Sequence, residues 1–371
     1  MKVRMFDLRV KDKLLHRNLL SNFKKILKHG IFFFGPELHE FEKKMSKYLK
    51  VKYALGVASG SSALYIALKS LGIKKGDEVI TTPFSWIITS NAIVECGATP
   101  VFCDIKDDYN INSGLIESKI TKKTKAILPM HWGGHICDMK SILKIARKYN
   151  LFIVEDSAQS FGAELNGKKT GSFSDIAAFS MNPMKPLNGF GEGGLIVTNN
   201  KKLYEKAKIL RYAGTTSDPK KIITNNCLEV SLNHKMDTVN AAMLLASFKN
   251  LKKKRKKLLA IKKYYEKNLS KKILLQKFNK KEKPGLYAFP IQVKSRNKIK
   301  KFLENKNIET KIWNRPLICD SPAYKKYAKN KLPIARKVLS KTLNIPFHEN
   351  MTNDQIKFVV DQVNLSIEKF N

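Results

Sequence analysis

No stretch of the 371 residues reaches the roughly 18 consecutive apolar side chains that a membrane-spanning helix requires. The opening segment, "MKVRMFDLRVKDKLLHRN", has no apolar core of the kind a secretory signal carries, so the expected location is cytoplasmic. Cysteine is sparse and dispersed: Cys96, Cys103, Cys137, Cys227 and Cys319 are odd in number and include no C-x-x-C pair. That argues against a disulfide framework and a zinc knuckle, and suits a reducing compartment. Acidic residues are few, 31 against 70 basic ones, which leaves a formal charge of +39. Arginine is scarce within that excess, at nine of the 70. Proteins that read base edges favour the guanidinium fork, whereas these lysines are spread over most of the helix-like runs. The densest run, "KNLKKKRKKLLAIKKYYEKNLSKK" (249–272), keeps leucine, isoleucine and tyrosine at helical spacing. It reads as a solvated helix face before it reads as a polyanion site. No nucleic acid or membrane partner is expected, although a positive field would attract an anionic substrate.

What is present is alternation. Hydrophobic residues at 43% and charged residues at 27% fit a globular chain long enough for a large core. From about residue 50, apolar strand-like runs at 53–59, 78–83, 99–105, 126–131, 151–156, 176–181 and 194–199 are separated by amphipathic runs such as 62–72 and 139–150. Seven such strands predict an α/β fold, with one large, mostly parallel sheet. Past residue 272 the rhythm changes to "LYAFPIQV", "NKIKKFLENKN" and "ETKIWNRP", a compact β-α-β pattern. The last helix opens at "MTNDQIKFVVDQV", where Thr352 and Gln355 form a T-x-x-Q capping box. The expected division is an N-terminal arm and large domain over 1–250 and a small α+β domain over 251–371. No long Pro/Gly/Ser linker separates them, so close packing is expected.

Parallel sheets bind ligands at the carboxyl ends of their strands, and four such ends carry suggestive residues. "ASGSSALYIAL" passes through Ser59, Gly60, Ser61 and Ser62 into a helix, whose unpaired N–H groups would cradle a phosphate or be simply capped. "LFIVEDSAQS" ends a doubly buried strand on Asp156, which needs a partner: a helix start, a side-chain cation or a protonated heterocyclic nitrogen. "TTPFSWIITSN" places Phe84 and Trp86 where an aromatic ring is either core or a platform for a flat ligand. In "AAFSMNPMKPLNGFGEGG", Pro183 and Pro186 disfavour helical geometry at Asn182 and Lys185, so Lys185 is expected in an extended segment. Gly189, Gly191, Gly193 and Gly194 then allow a tight return into the seventh strand. A phosphate cradle, a buried acid, a flat aromatic and a constrained lysine together describe a pyridoxal phosphate site.

Those segments, with "TKAILPMHWGGHICDM" and "SLNHKMDTVNAAML", resemble the DegT/DnrJ/EryC1/StrS aminotransferases from about residue 25 to near the C-terminus. The resemblance implies a fold-type-I pyridoxal phosphate transferase with a large three-layer domain and a small C-terminal one. It implies that Lys185 is joined to the cofactor aldehyde, Asp156 holds the pyridine nitrogen protonated, Gln159 reaches the ring hydroxyl and Trp86 stacks on the ring. Gly60, Ser61, Ser62 and Ser180 would hold the phosphate. Asn233 would reach the phosphate of a neighbouring subunit, which implies a homodimer with shared active sites. Glutamate would be the amino donor and a keto-sugar, mainly nucleotide-linked, the acceptor, with ping-pong kinetics and a place in surface glycan or related biosynthesis.

Departures from the family pattern concern the acceptor. Ser231 and Lys235 replace a glycine and an arginine, Ile318 stands where "P-L-H" has histidine, and Asn182 occupies a place that many sugar aminotransferases give to histidine or an aromatic residue. A keto-cyclitol, a keto-acid sugar or a small phosphorylated ketone is the alternative acceptor. A basic polyanion-binding protein with a degenerate cofactor site is the reading from another class. His131 and His135 are four residues apart but separated by Gly133 and Gly134 after a strand, so no metal is expected there. The polar loop 213–226 is either an acceptor-binding segment or a surface excursion.

Overall fold

A computed structural model describes residues 1–216, 226–329 and 331–370. The seven expected strands form one sheet: β1 (Tyr53–Val57), β2 (Glu78–Thr81), β3 (Thr99–Phe102), β4 (Thr124–Leu128), β5 (Phe152–Asp156), β6 (Ile176–Ser180) and β7 (Gly194–Thr198). Their spatial order is β1-β7-β6-β5-β4-β2-β3. β7 pairs antiparallel with both β1 and β6, while the pairs from β6 to β3 are parallel. Side chains alternate across this sheet with period two. Ile176, Ala178 and Ile196 enter one core with Ile66 and Ala67 of the helix Gly60–Ser70. Ala177, Phe179, Leu195 and Val197 enter the other with Leu38, Phe41 and Leu244. Both faces are covered, which is why the strands read as continuous apolar runs rather than as alternating ones.

The chain then enters a single helix, Thr238–Asn268, started by Asp237, whose carboxylate accepts the Asn240 N–H. Its first half buries Ala241, Leu244 and Leu245 against the large sheet. Its second half buries Leu258, Ile261 and Tyr265 in a separate core with Ile291, Leu303, Leu343 and Val363. A boundary at 250/251 therefore falls inside an unbroken helix. Val3 also belongs to that second core and bridges to Ile308, so the N-terminal arm packs with the C-terminal body.

The C-terminal sheet contains Leu274–Leu275, Pro290–Gln292 and Thr342–Asn344. The helix Arg296–Asn305 follows the central strand as expected, but "ETKIWNRP" is not the next strand. Among the described residues it pairs with the sheet only through a bridge between Lys311 and Asn344, and Asn314 takes a left-handed φ of 60°. Pro316, with no N–H, could not continue a ladder. The capping box at the last helix forms as expected: Gln355 N–H donates to Thr352 Oγ1 (3.2 Å) and Thr352 N–H to Gln355 Oε1 (3.1 Å).

Candidate active site

A cleft of about 780 Å³ opens at the carboxyl ends of β5 and β6. Gly60, Ser61, Trp86, Asp156, Gln159, Ser180 and Lys185 all line it. Ser62 and Asn233 do not.

The cradle is built by a close approach. A Cβ on Gly60 would lie 2.7 Å from Ser180 Cβ, so only glycine lets the start of helix Gly60–Ser70 sit against the end of β6. A Cβ on Gly194 would overlap the carbonyl of Ser59. The nearby glycines Gly189, Gly193 and Gly194 thus provide space rather than left-handed backbone, since none of them has a positive φ. Ser59 caps the helix, its Oγ accepting the Ser62 N–H (3.0 Å). This leaves the N–H groups of Gly60 and Ser61 as first-turn donors with no helical partner, beside the Ser180 hydroxyl. The Ser62 hydroxyl turns away, toward His234 Nδ1 (2.9 Å) and Ser59 Oγ (3.1 Å). The expectation that it faces a phosphate is corrected: a side chain on the inner face of this helix points into the protein.

Asp156 ends β5 at 3% exposure. Its Oδ2 accepts the Thr89 hydroxyl (2.8 Å) and its Oδ1 the Ala158 N–H (3.1 Å). Ser85 Oγ lies 2.6 Å from Thr89 Oγ1, completing a short polar chain into the cleft. Both partners of the carboxylate are neutral, and among the described residues it forms no ion pair. Burial therefore raises its pKa above the usual carboxylate value, against the opposing pull of these hydrogen bonds. Lys185 and His131 attract its charge only from beyond ion-pair distance, and a buried carboxylate at a cleft with no cation in contact suits a ligand with a cationic N–H. Gln159 Oε1 accepts the Gly133 N–H (2.7 Å), which leaves its amide NH₂ as the donor toward the cleft.

Lys185 is not extended. Its N–H donates to Asn182 O (2.9 Å), and Asn182 Oδ1 accepts the Met184 N–H (3.0 Å), so Asn182–Lys185 is a turn with Pro183 in its second place. The prolines exclude helix as expected, but the asparagine side chain closes an Asx turn that the preceding-proline rule does not foresee. The Lys185 Nζ lies 4.8 Å from the centre of the Tyr287 ring. Asn182 Nδ2 also donates to Glu192 Oε1 (2.6 Å), bracing the turn against the glycine-rich return.

The aromatic pair divides. Phe84 is fully buried in a core with Tyr109 and Trp132, whereas Trp86 is 68% exposed on the cleft. His131 Nε2 bonds the buried Glu155 (3.0 Å), while Nδ1 accepts the Cys137 N–H. Burial opposes the charge of Glu155, yet His131, three backbone N–H groups and the Ser174 hydroxyl hold its pKa below normal. His135 lies between Glu282 (2.8 Å) and Asp108 (3.5 Å). Burial works against its charge, but these carboxylates push its pKa up to about 9. The two histidines thus serve different carboxylates. Most of the loop 213–226, namely 217–225, lies outside the described residues.

A second wall was not visible in the sequence. Phe6 from the arm and Tyr287, Lys311, Trp313 and Arg315 from the C-terminal body line the same cleft. The Phe6 and Trp313 rings are parallel within 4° at 6.1 Å, and Trp313 meets Trp132 edge-on. Nothing local marks these positions, which converge only because the arm and the 311–315 segment both pack on the C-terminal body.

Comparison with known proteins agrees with this geometry. The model of the DegT/DnrJ/EryC1/StrS aminotransferase family matches residues 14–364. The dTDP-3-amino-3,6-dideoxy-alpha-D-galactopyranose transaminase of Aneurinibacillus thermoaerophilus is 32% identical, over 96% of this chain and 98% of its own. The crystal structure of S. venezuelae DesV superposes with a TM-score of 0.94 at 30% identity, covering all of both chains. NtdA from Bacillus subtilis, with bound cofactor PMP, superposes with a TM-score of 0.91 at 29% identity, over 99% of this chain and 85% of that one.

Proposed function

The chain belongs to the DegT/DnrJ/EryC1/StrS aminotransferase family and is a pyridoxal phosphate-dependent aminotransferase, and we propose that it carries an amino group from glutamate to a ketone on a nucleotide-linked sugar. The observation that carries this reading is one cleft lined by a buried carboxylate with no ion-pair partner among the described residues, a lysine on a braced turn and a helix start with open N–H groups. Relatives of similar length act on dTDP-, GDP- and UDP-linked amino sugars, as their names state, which supports the acceptor class and a role in glycan biosynthesis.

The residues fit the cofactor. The N–H groups of Gly60 and Ser61 with the Ser180 hydroxyl would hold its phosphate, Asp156 would face its ring nitrogen, Gln159 would reach its hydroxyl and Trp86 would cover one face. Bound pyridoxal phosphate supplies an aldehyde that condenses with amines and a ring that accepts the electron pair left by a broken C–H bond. Asp156, ionised beside a cation, would keep a proton on the ring nitrogen; Thr89 and the Ala158 N–H fix the orientation of its carboxylate for that task. Lys185 Nζ, as a free amine, takes the α-proton of the donor and later returns a proton to the former carbonyl carbon of the acceptor. The Tyr287 face gives this ammonium a resting place while it is charged.

The second wall supports a charged, ring-bearing acceptor: Lys311 and Arg315 offer cations to phosphate, and Trp313 and Tyr287 offer flat apolar surface. With glutamate as donor, a panel of nucleotide keto-sugars should yield turnover, and non-nucleotide keto-sugars should not. Lys311→Ala or Arg315→Ala is expected to raise the acceptor KM about tenfold, because hydrogen bonds to charged groups contribute about 1.5–3 kcal/mol. The KM for glutamate should stay within about twofold. Equal change in both KM values would contradict the assignment.

A homodimer with shared sites is supported by what is left uncovered. Leu20, Phe23 and Leu27 form an exposed stripe on the helix Lys13–His29, continued by Ile31, Phe32 and Phe33. Val230 and Leu232, 85% and 70% exposed, flank the segment carrying Asn233. Contiguous apolar surface of this kind marks an interface. Asn233, itself exposed, would then serve the cleft of a second copy. The double variant Leu20→Glu/Leu27→Glu should sediment as a monomer and lose at least about tenfold in turnover. A fully active monomer would rule out shared sites.

A further inference from the structure

We propose that Lys254 is a positioning residue for Lys185, a clamp that sets where the Lys185 backbone sits in the cleft. The inference rests on the reading of Lys185 as the cofactor-linked lysine.

Lys254 lies near the middle of the helix Thr238–Asn268, just past the half packed on the large sheet. Its side chain is 12% exposed. A largely buried ammonium needs an acceptor for each of its three donors, and this one has three. Its Nζ donates to Asn188 Oδ1 (2.9 Å), reaches the Lys185 carbonyl oxygen (3.4 Å) and lies 3.3 Å from Glu349 Oε1. Two of the three acceptors therefore belong to the loop that carries Lys185, one of them to Lys185 itself. The third belongs to the segment 348–350, whose Asn350 Nδ2 donates to the carbonyls of Asp7 (2.9 Å) and Arg9 (2.8 Å) in the N-terminal arm.

The loop's other ties are internal or run to the large-domain side: Lys185 N–H to Asn182 O, Gly189 N–H to Met181 O (2.7 Å), Asn240 Nδ2 to Glu192 O on the glycine-rich return, and Leu187 buried with Leu244 and Leu251. Those contacts fix the turn's shape and hold it on the large-domain side, but none of them runs to the C-terminal body that supplies Tyr287. Lys254 does so, joining the lysine loop, the long helix and the segment that holds the arm at one atom. A lysine that shuttles a proton between carbons must present its nitrogen within about half an ångström of a productive position, and misplacement by about 1 Å can cost about 10²-fold. Loss of the clamp should therefore reduce the chemical step while leaving the binding of both substrates nearly intact. It also removes a positive charge near Lys185, which favours the protonated form of the linked lysine nitrogen.

The test uses Lys254→Met, which keeps the stem and loses the three donors, alongside Glu349→Gln, which weakens only the third contact. In the holoenzyme, Lys254→Met is expected to lower kcat at least about tenfold, with both KM values within about twofold, and to move the pH midpoint of the visible band upward. Cofactor affinity of the apoprotein, read by fluorescence titration, should fall less than about tenfold. Glu349→Gln should leave kcat and the midpoint unchanged within about twofold. If Lys254→Met does not accumulate in folded form, Asn188→Ala is the variant to read: it removes one acceptor on the loop and should move kcat and the midpoint in the same directions, by less. An unmoved midpoint with kcat within twofold overturns the proposal. So does an equal loss in Lys254→Met and Glu349→Gln accompanied by a lower melting temperature, which is the behaviour of a plain strut. Borohydride reduction and peptide mapping separate the two levels. An adduct on Lys185 in both wild type and variant with no kinetic change sinks the clamp alone, whereas an adduct elsewhere in wild type sinks the reading of Lys185 itself.

Discussion

Lys185→Ala is expected to lower transamination by about 10⁴-fold or more while leaving the fold intact. General acid–base transfer by a positioned side chain contributes about 10²–10⁴-fold, and under the proposed role the same nitrogen also makes the covalent link, so the two losses compound. Among the described residues no other basic group is placed to substitute. Lys311 and Arg315 lie on the wall supplied by the C-terminal body, and Lys254 is occupied by its three acceptors. The fold should survive because the Lys185 side chain has one notable contact, the Tyr287 face, worth about 0.5–1 kcal/mol at a partly exposed site. Steady-state assay, thermal unfolding and the visible spectrum after incubation with cofactor check the prediction together. A variant retaining a hundredth of wild-type turnover would mean that another base moves the proton.

The second large effect is at Asp156. Removing one partner of a buried ion pair costs about 3–5 kcal/mol, and about 1.4 kcal/mol is tenfold in rate. If the carboxylate holds a proton on the ring nitrogen, Asp156→Asn should lower kcat by about 10²- to 10³-fold. The same substitution should act in the opposite direction on the cofactor-free protein. Burial raises the Asp156 pKa above its unfolded value, so across the window between the two values the native state binds more protons than the unfolded one. Stability of the apoprotein is therefore lost as pH rises through that window and regained as it falls. Asparagine carries no charge to desolvate. Apo Asp156→Asn is expected to melt at or above apo wild type at neutral pH, with a flatter pH dependence, while being nearly inactive. A strongly destabilised apo variant would show that the carboxylate is a structural group whose bonds to Thr89 and Ala158 outweigh its burial.

Much of this site was legible before the fold was. The strand windows at 176–181 and 194–199 are apolar on both faces because β6 and β7 each feed two cores, and that placed Asp156 and Lys185 at strand ends. The proline pair told that Lys185 leaves helical geometry. It did not tell that the Asn182 side chain would close a turn, since that depends on one rotamer. The segment "ASGSS" announced a helix start. Which serine faces outward was settled by Ser59 taking the cap, which left Gly60 and Ser61 open and turned Ser62 toward His234. Phe84 and Trp86 were indistinguishable in sequence and lie on opposite sides of the wall, one in the core and one in the cleft. Thr89 and Asp156 are 67 residues apart, and Lys254 and Lys185 are 69 apart. Pairings of that range leave no local pattern. The second wall was hidden for the same reason, because its residues come from the arm, from Tyr287 and from a stretch that reads as a strand but turns at Asn314.

The most direct test of the central claim is peptide mapping by mass spectrometry of holoprotein reduced with borohydride. The predicted result is a single pyridoxyl phosphate adduct on the peptide containing Lys185, present in wild type and missing after Lys185→Ala. An adduct on any other lysine, or none after incubation with the cofactor, would contradict it.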